Sequence, residues 1–340
     1  MAFFLSGIGI ILIAGADFNQ IYIQSATMVI GVVLFIFIVW FIRDLDRVVR
    51  WRNVIAIGAI LLFALNLLLG KIQHGAQNWI VIGHFSIQPS EFIKIAYIFV
   101  GASTLDRLQT KKNLTEFIAF SALCIGALFV MGDFGTACIF FLTFLVISFI
   151  RSGDIKTIIL ICSAAAMGAF MILKFKPYVA NRFAVWGHVW EHVNDAGYQQ
   201  SRVLTYCASG GLFGVGVGNG KLKDVFAATS DLIFGVICEE MGLIMAITIG
   251  ILIAMLSNYA RKMCKSSRST FYSIASCSAA ALLVFQSCLN IFGSTDILPL
   301  TGVTLPFISL GGSSMISVWG LLAFIKASDE RTYAIRRGRR

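Results

Sequence analysis

Ten apolar segments separated by polar stretches fill almost the whole of this chain. They lie at about 2–15, 25–42, 53–69, 89–104, 116–132, 134–150, 156–174, 231–256, 270–292 and 304–326. In lipid, only a helix or a closed barrel satisfies the backbone N–H and C=O groups of such a segment, and about 20 apolar residues span the bilayer as a helix. The pattern predicts an all-α integral membrane protein of about ten transmembrane helices, residues 1–340 forming a single polytopic domain. Charge content agrees. Only 13% of the 340 residues are charged, against about 25% in soluble domains. The first, fourth and fifth segments are short for a perpendicular span, so burial by neighbours or a partly re-entrant path is expected there. The first run carries no charge ahead of its apolar core and has no obvious cleavage site, so it reads as a span rather than a leader.

The basic residues orient the spans. With a cytoplasmic N-terminus, the loops on that side hold Arg43, Arg47, Arg50, Arg52, Arg107, Lys111, Lys112, Arg151, Lys156, Arg261, Lys262, Lys265 and Arg268, and the tail 327–340 is basic as well. Together with Lys326 this places 19 of the 27 basic residues inside, 7 outside and Lys94 within a span. The positive-inside rule then sets both termini in the cytoplasm of a multi-pass cytoplasmic-membrane protein. The net charge of +10 is a topology signal, not a nucleic-acid footprint, and the basic tail reads as a membrane-surface anchor.

One connection is long. Residues 175–230, between spans seven and eight, form an outer loop of about 55 residues, and long loops in compact proteins are often functional. All four prolines, Pro89, Pro177, Pro299 and Pro306, fall outside or at the outer boundary, so the irregular backbone concentrates on that face. The eight cysteines show neither a CxxC pair nor metal-ligand spacing and read as packing residues.

Polar residues inside the spans carry the functional signal. An ionisable side chain costs roughly 2.5–3.5 kcal/mol at the bilayer centre and less near its edge. Asp231 opens the eighth apolar segment behind Thr229 and Ser230, where it is either a helix N-cap or a functional acid. Glu91 and Lys94 share a helix face and can neutralise each other, as a structural ion pair or as part of a site. Asp133 sits at a tight turn between two short spans. Glu239 and Glu240 lie about 12 Å below Asp231 by helix rise and read as structural. Glu91, Asp133 and Asp231 come from separate spans and can converge near the outer boundary. Such a trio suits a general base, a divalent cation such as Mg or Mn, or an ion or proton path. The glycine-rich run Ser209–Gly220 lacks a βαβ context and faces outward, so it is no nucleotide site.

Five motifs in order resemble the SEDS family (shape, elongation, division and sporulation): Gln88-Pro-Ser-Glu-Phe-Ile-Lys94; Gly132-Asp-Phe-Gly-Thr-Ala137; Gly197-Tyr-Gln199 with Ser209-Gly-Gly211; Asp231-Leu-Ile-Phe with Glu239-Glu-Met-Gly242; and the long block from Pro299 to Ser314. The resemblance runs from about residue 20 to 326. It implies a ten-helix peptidoglycan glycosyltransferase of cell-wall biogenesis, serving cell shape, division or sporulation. Such enzymes polymerise glycan strands from lipid II and undecaprenyl diphosphate-linked glycan, beside a class B penicillin-binding protein. By that resemblance Asp231 is the catalytic residue, the positions of Glu91 and Lys94 are functional, and Asp133 lies near the same cavity.

The chemistry expected of such an enzyme is general-base removal of the acceptor 4-hydroxyl proton by Asp231, if its surroundings raise its pKa toward working pH. A cation, Lys94, Arg182 or Arg202 would stabilise the leaving diphosphate. A lipid II flippase or transporter, with intramembrane charges and broken helices, is the competing reading, and a non-catalytic scaffold for a penicillin-binding protein is the third. The chain departs from the family pattern at Gln77 (commonly Arg), Ala227 (commonly Glu), Leu310 (frequently Tyr) and Asp296 (usually uncharged).

Overall fold

The computed structural model describes residues 1–73, 76–82, 85–106, 111–152, 159, 161–163, 182–267 and 269–329. Most of span seven, the first part of the long connection with Pro177, and nearly all of the basic tail lie outside the described residues. In chain order the elements are α1 (Ala2–Ala16), α2 (Gln20–Ile42), α3 (Leu45–Leu69), β1 (Lys71–Gln73), β2 (Ala76–Ile82), β3 (Phe85–Ile87), α4 (Pro89–Asp106), α5 (Lys111–Met131) and α6 (Phe134–Ser152). Then follow α7 (Tyr198–Gly210), α8 (Ile233–Glu240), α9 (Gly242–Ser266), α10 (Thr270–Ser294) and α11 (Gly312–Ala327). The protein is a helical, multi-pass membrane protein. Four of the described helices, α2, α3, α9 and α10, are long and apolar enough to cross a bilayer by themselves.

The chain divides into two compact units: Met1–Ser25 with Gly153–Ile253 and Phe285–Gly311, and Ala26–Ser152 with Ala254–Val284 and Gly312–Arg340. In the second unit α4 is the central helix, packed against α3, α5, α6 and α11. Its Tyr97 ring lies 4.8 Å from Phe140, 5.8 Å from Phe117 and 5.9 Å from Phe120, centroid to centroid. The Tyr97 hydroxyl shares a 2.8 Å hydrogen bond with Ser121, which satisfies the one polar atom of that aromatic cluster. Conversely, Val29, Val33, Ile36, Phe37 and Trp40 of α2 are exposed. On a membrane helix such a face is the one that lipid solvates.

Helix α3 begins eight residues before the apolar segment that predicts it. Asp44 caps it, its carboxylate accepting from the Asp46 N–H at 3.0 Å, so the helix runs through Arg47, Arg50 and Arg52 before reaching lipid-soluble sequence. Hydropathy sees only the second part. A three-stranded antiparallel meander of order β1-β2-β3 follows, with Lys71 opposite Trp79 and Val81 opposite Ser86. These strands are too short to read from an alternating pattern, and they interrupt an otherwise all-α architecture.

Two expected spans are broken. The segment 231–256 is not one helix: α8 ends at Glu240 and α9 starts at Gly242. Gly242 has φ +80, and a Cβ there would meet the Leu212 carbonyl, so the chain turns where only glycine fits. The first N–H groups of α9 then bond outside the helix, Leu243 to the Gly211 carbonyl at 3.0 Å and Ile244 to that of Leu212 at 3.3 Å. The segment 304–326 becomes helical only from Gly312. Before it, Leu305–Gly311 is irregular backbone held by specific bonds described below. The long connection 175–230 also contains a helix that its composition hides. The α7 residues facing the interior include Gln200 and Ser201 beside Val203, so no apolar stripe announces it.

Candidate functional site

Asp231 lies in a turn ahead of α8, half-buried. The N-cap of α8 is Leu232, with no side-chain cap bond. The N-cap position is thus held by Leu232 and not by Asp231, which corrects the N-cap reading. The turn is built on main chain. The carbonyl of Ala227 accepts from the N–H groups of Ser230, Asp231 and Leu232 at 3.2, 3.0 and 3.1 Å. Ala227 takes φ +60 to aim that carbonyl, a conformation uncommon for a residue with a Cβ.

A second irregular segment walls the turn. The Asn290 side-chain amide donates to the Asp231 carbonyl at 2.8 Å and to the Val303 carbonyl at 2.8 Å. Ser309 Oγ donates to the Ser230 carbonyl at 2.6 Å and accepts from Leu305 N at 2.7 Å, while Leu310 N donates to Thr229 O at 2.8 Å. Gly302, at φ +70, lies beside the acid: a Cβ there would lie 3.3 Å from Asp231 Oδ2. Leu310 contributes its backbone here, so its unusual side chain leaves this bond intact. Sequence reading missed Asn290, Gly302 and Ser309. Asn290 carried the same signal as Asp231, a polar side chain inside an apolar run, but without a charge to flag it.

The long connection 175–230 is fastened to the segment that leads into Gly302. Arg182 Nη1 donates to Leu300 O at 2.8 Å and Trp186 Nε1 to Ile297 O at 3.2 Å. Asp296 Oδ1 accepts from Gly187 N at 3.3 Å and from Gln200 Nε2 at 3.2 Å. The extra carboxylate at position 296 thus has a task, joining loop to loop. The guanidinium of Arg202 lies over the Tyr198 ring, 5.1 Å from its centroid. Of the two arginines singled out from sequence, Arg182 is committed to a carbonyl and Arg202 to an aromatic face.

In the other unit, Lys94 Nζ donates to Glu91 Oε1 at 2.7 Å, the two side chains 1% and 5% exposed. The pair foreseen from their spacing is formed. Asp133 caps α6 by accepting from Thr136 N at 3.1 Å through Oδ1. Its Oδ2 accepts from Asn78 Nδ2 at 3.3 Å and Gln88 Nε2 at 3.2 Å. Gln88 begins the Gln88–Lys94 motif, so one segment supplies both the partner of Asp133 and the Glu91–Lys94 pair. Gln77 closes the end of α3, donating to the Leu67 and Gly70 carbonyls at 3.0 and 2.9 Å.

A divalent cation fits these carboxylates poorly. Glu91 already faces the Lys94 ammonium, and Asp133 faces one N–H and two amide donors; all of these oppose a cation. Among the described residues no three His, Cys, Asp or Glu side chains group in a way that could hold a metal ion.

The family model described as Cell cycle protein, FtsW/RodA/SpoVE, matches residues 1–333. The chain belongs to this family. A probable peptidoglycan glycosyltransferase FtsW of Buchnera aphidicola subsp. Acyrthosiphon pisum (strain APS) is 32% identical over 294 residues, covering 83% of this chain and 74% of that one. The peptidoglycan glycosyltransferase RodA of Mycobacterium tuberculosis (strain ATCC 25618 / H37Rv) is 26% identical, covering 94% and 75%. Stage V sporulation protein E of Bacillus subtilis (strain 168) is 30% identical, covering 78% and 75%. Among solved structures, a chain from a peptidoglycan synthase complex that coordinates polymerization and crosslinking superposes with a TM-score of 0.81, at 21% identity and 97% and 96% coverage. The Rod shape determining protein RodA of Thermus thermophilus gives 0.69, at 21% identity and 97% and 95% coverage. These likenesses show that the chain has the fold of its FtsW/RodA/SpoVE relatives.

Proposed function

We propose that this chain is a peptidoglycan glycosyltransferase that polymerises glycan strands from lipid II at the outer face of the cytoplasmic membrane, with Asp231 as general base. The observation that carries the assignment is the seat of Asp231. Its N–H and carbonyl are both held by the surrounding main chain and by Asn290, while its carboxylate leaves the helix start to Leu232 and lies against Gly302. A backbone held so firmly around a half-buried acid preorganises a proton acceptor. The names of the curated relatives favour polymerisation over the flippase and scaffold readings.

In the reaction the acceptor 4-hydroxyl oxygen attacks the anomeric carbon of the lipid-linked strand as Asp231 takes its proton. The anomeric carbon–oxygen bond breaks, and the diphosphate departs with the bonding pair. Developing negative charge on the diphosphate calls for a fixed cation. Arg202 supports that role better than Arg182, whose guanidinium already serves the Leu300 carbonyl. Lys94 is neutralised by Glu91. Glu91 and Asp133 already face the Lys94 ammonium and N–H donors, so we assign the steps to side chains of the chain itself. The basic loops support cytoplasmic termini, and a class B penicillin-binding protein, which would crosslink the strands, is the partner expected at the membrane.

The test is incubation of purified protein with fluorescent lipid II, with and without a class B partner, beside Asp231→Asn. A ladder of glycan strands from the wild type alone supports the assignment. Translocation of lipid II in vesicles without any ladder would replace it with the flippase reading.

A further inference from the structure

We propose that Glu239 is a positioning residue for Asp231: its carboxylate closes the base of the loop that carries the acid. The inference rests on Asp231 as the base and adds how its position is maintained.

Glu239 and Glu240 are adjacent and each 2% exposed. Isolated buried carboxylates are costly and are retained where donors converge on them. Here the donors are main-chain N–H groups of the glycine-rich segment. Lys221 N donates to Glu239 Oε1 at 2.8 Å and Leu222 N to Glu239 Oε2 at 2.9 Å, so both oxygens are used. Gly218 N donates to Glu240 Oε2 at 3.0 Å. Val215 N and Gly216 N donate to the main-chain carbonyls of the same two glutamates at 2.9 and 3.0 Å. A Cβ at Gly220 would lie 2.8 Å from Glu240 Oε1 and 2.9 Å from Glu239 Oε2. The glycines therefore let the backbone close around two acids, as such segments elsewhere close around phosphates. The anions bound here are the protein's own side chains.

Chain order turns this anchor into a positioning device. Asp231 comes nine residues after Leu222 and eight before Glu239. The Glu239 carboxylate thus joins the two arms of the loop at their base, entry to exit. Between them run the Leu222–Asp224 3-10 turn, the Ala227-centred turn and α8. Glu240 holds Gly218, one step further from the acid. Loss of both acceptors at Glu239 would free the entry arm from α8 and let the Ala227–Asp231 turn shift, and displacement of a reacting group by about 1 Å costs on the order of 100-fold in rate.

Full-length Glu239→Gln, Glu239→Asp and Asp231→Asn proteins test this by lipid II polymerisation kinetics and thermal melting in detergent. Gln keeps one acceptor and turns an NH2 group toward the second N–H; Asp keeps both acceptors on a shorter arm. The expected result is a kcat roughly 10- to 100-fold lower for Glu239→Gln, with KM and the melting midpoint near wild type and partial recovery in Glu239→Asp. Wild-type kcat in Glu239→Gln, or a loss fully matched by unfolding, overturns the clamp. If Asp231→Asn is inactive in that case, the base assignment stands and only the clamp falls. If Asp231→Asn polymerises normally, the base assignment falls, and the clamp with it.

Discussion

The side-chain amide of Asn290 bridges the carbonyls of Asp231 and Val303, donating to each at 2.8 Å. One polar side chain near the end of α10 thereby joins the turn that carries the acid to the segment that walls it.

Replacing Asn290 by Ala removes both donors at once. An orphaned buried acceptor costs about 1–3 kcal/mol, so Asn290→Ala is expected to lower the melting midpoint and to reduce polymerisation further than the loss of folded protein explains. Asn290→Asp, which has no NH2 to donate when ionised, should be no better. Thermal melting beside a glycan-ladder assay checks both.

Gly302 is the second control point. Its φ of +70 disfavours any residue with a Cβ, at roughly 1–2 kcal/mol. The new Cβ would also press on Asp231 Oδ2, 3.3 Å away. Gly302→Ala should therefore fold with a modest loss of stability and show a disproportionate fall in kcat. Equal kcat in the two proteins would show that the carboxylate position is not set by this contact.

The Glu91–Lys94 pair makes a sharper stability prediction. Removing one member of a buried pair leaves an uncompensated charge and costs about 3–5 kcal/mol, whereas replacing both together is far milder. Lys94→Met, which leaves the buried Glu91 carboxylate unpaired, is expected to be strongly destabilising, and Glu91→Gln, which leaves the buried Lys94 ammonium without its counter-charge, somewhat less so because the amide oxygen still accepts from the ammonium. The double variant should recover much of the loss from Lys94→Met. A double-mutant cycle on melting midpoints measures the coupling directly.

At Gln77 the substitution toward the common family residue should be tolerated. Its amide closes two carbonyls at the end of α3, and a guanidinium has donors enough for both. Gln77→Arg is expected to melt within a degree or two of wild type, while Gln77→Ala loses about 1 kcal/mol for each hydrogen bond.

Local composition was sufficient for the membrane class, because the transfer of apolar side chains into lipid is a property of each segment alone. It also marked Asp231, Glu91, Lys94 and Asp133, since a charge among apolar neighbours stands out wherever the chain goes. The Glu91–Lys94 pair was readable for the same reason: three residues on one helix meet without help from the rest of the fold. What surrounds Asp231 was not readable. Its turn depends on Asn290, 59 residues on, and on Ser309, 78 residues on, and no local pattern links them. The same holds for the breaks at Gly242 and before Gly312, where apolar sequence continues but the backbone leaves the helix. There the orphaned N–H and C=O groups find partners in distant segments, such as Leu212 for Ile244 and Thr229 for Leu310. The sequence determined which segments belong in lipid and which charges they carry. Only the tertiary structure decided where helices stop and what holds the acid, because a backbone break is stable only when remote groups satisfy the hydrogen bonds it gives up.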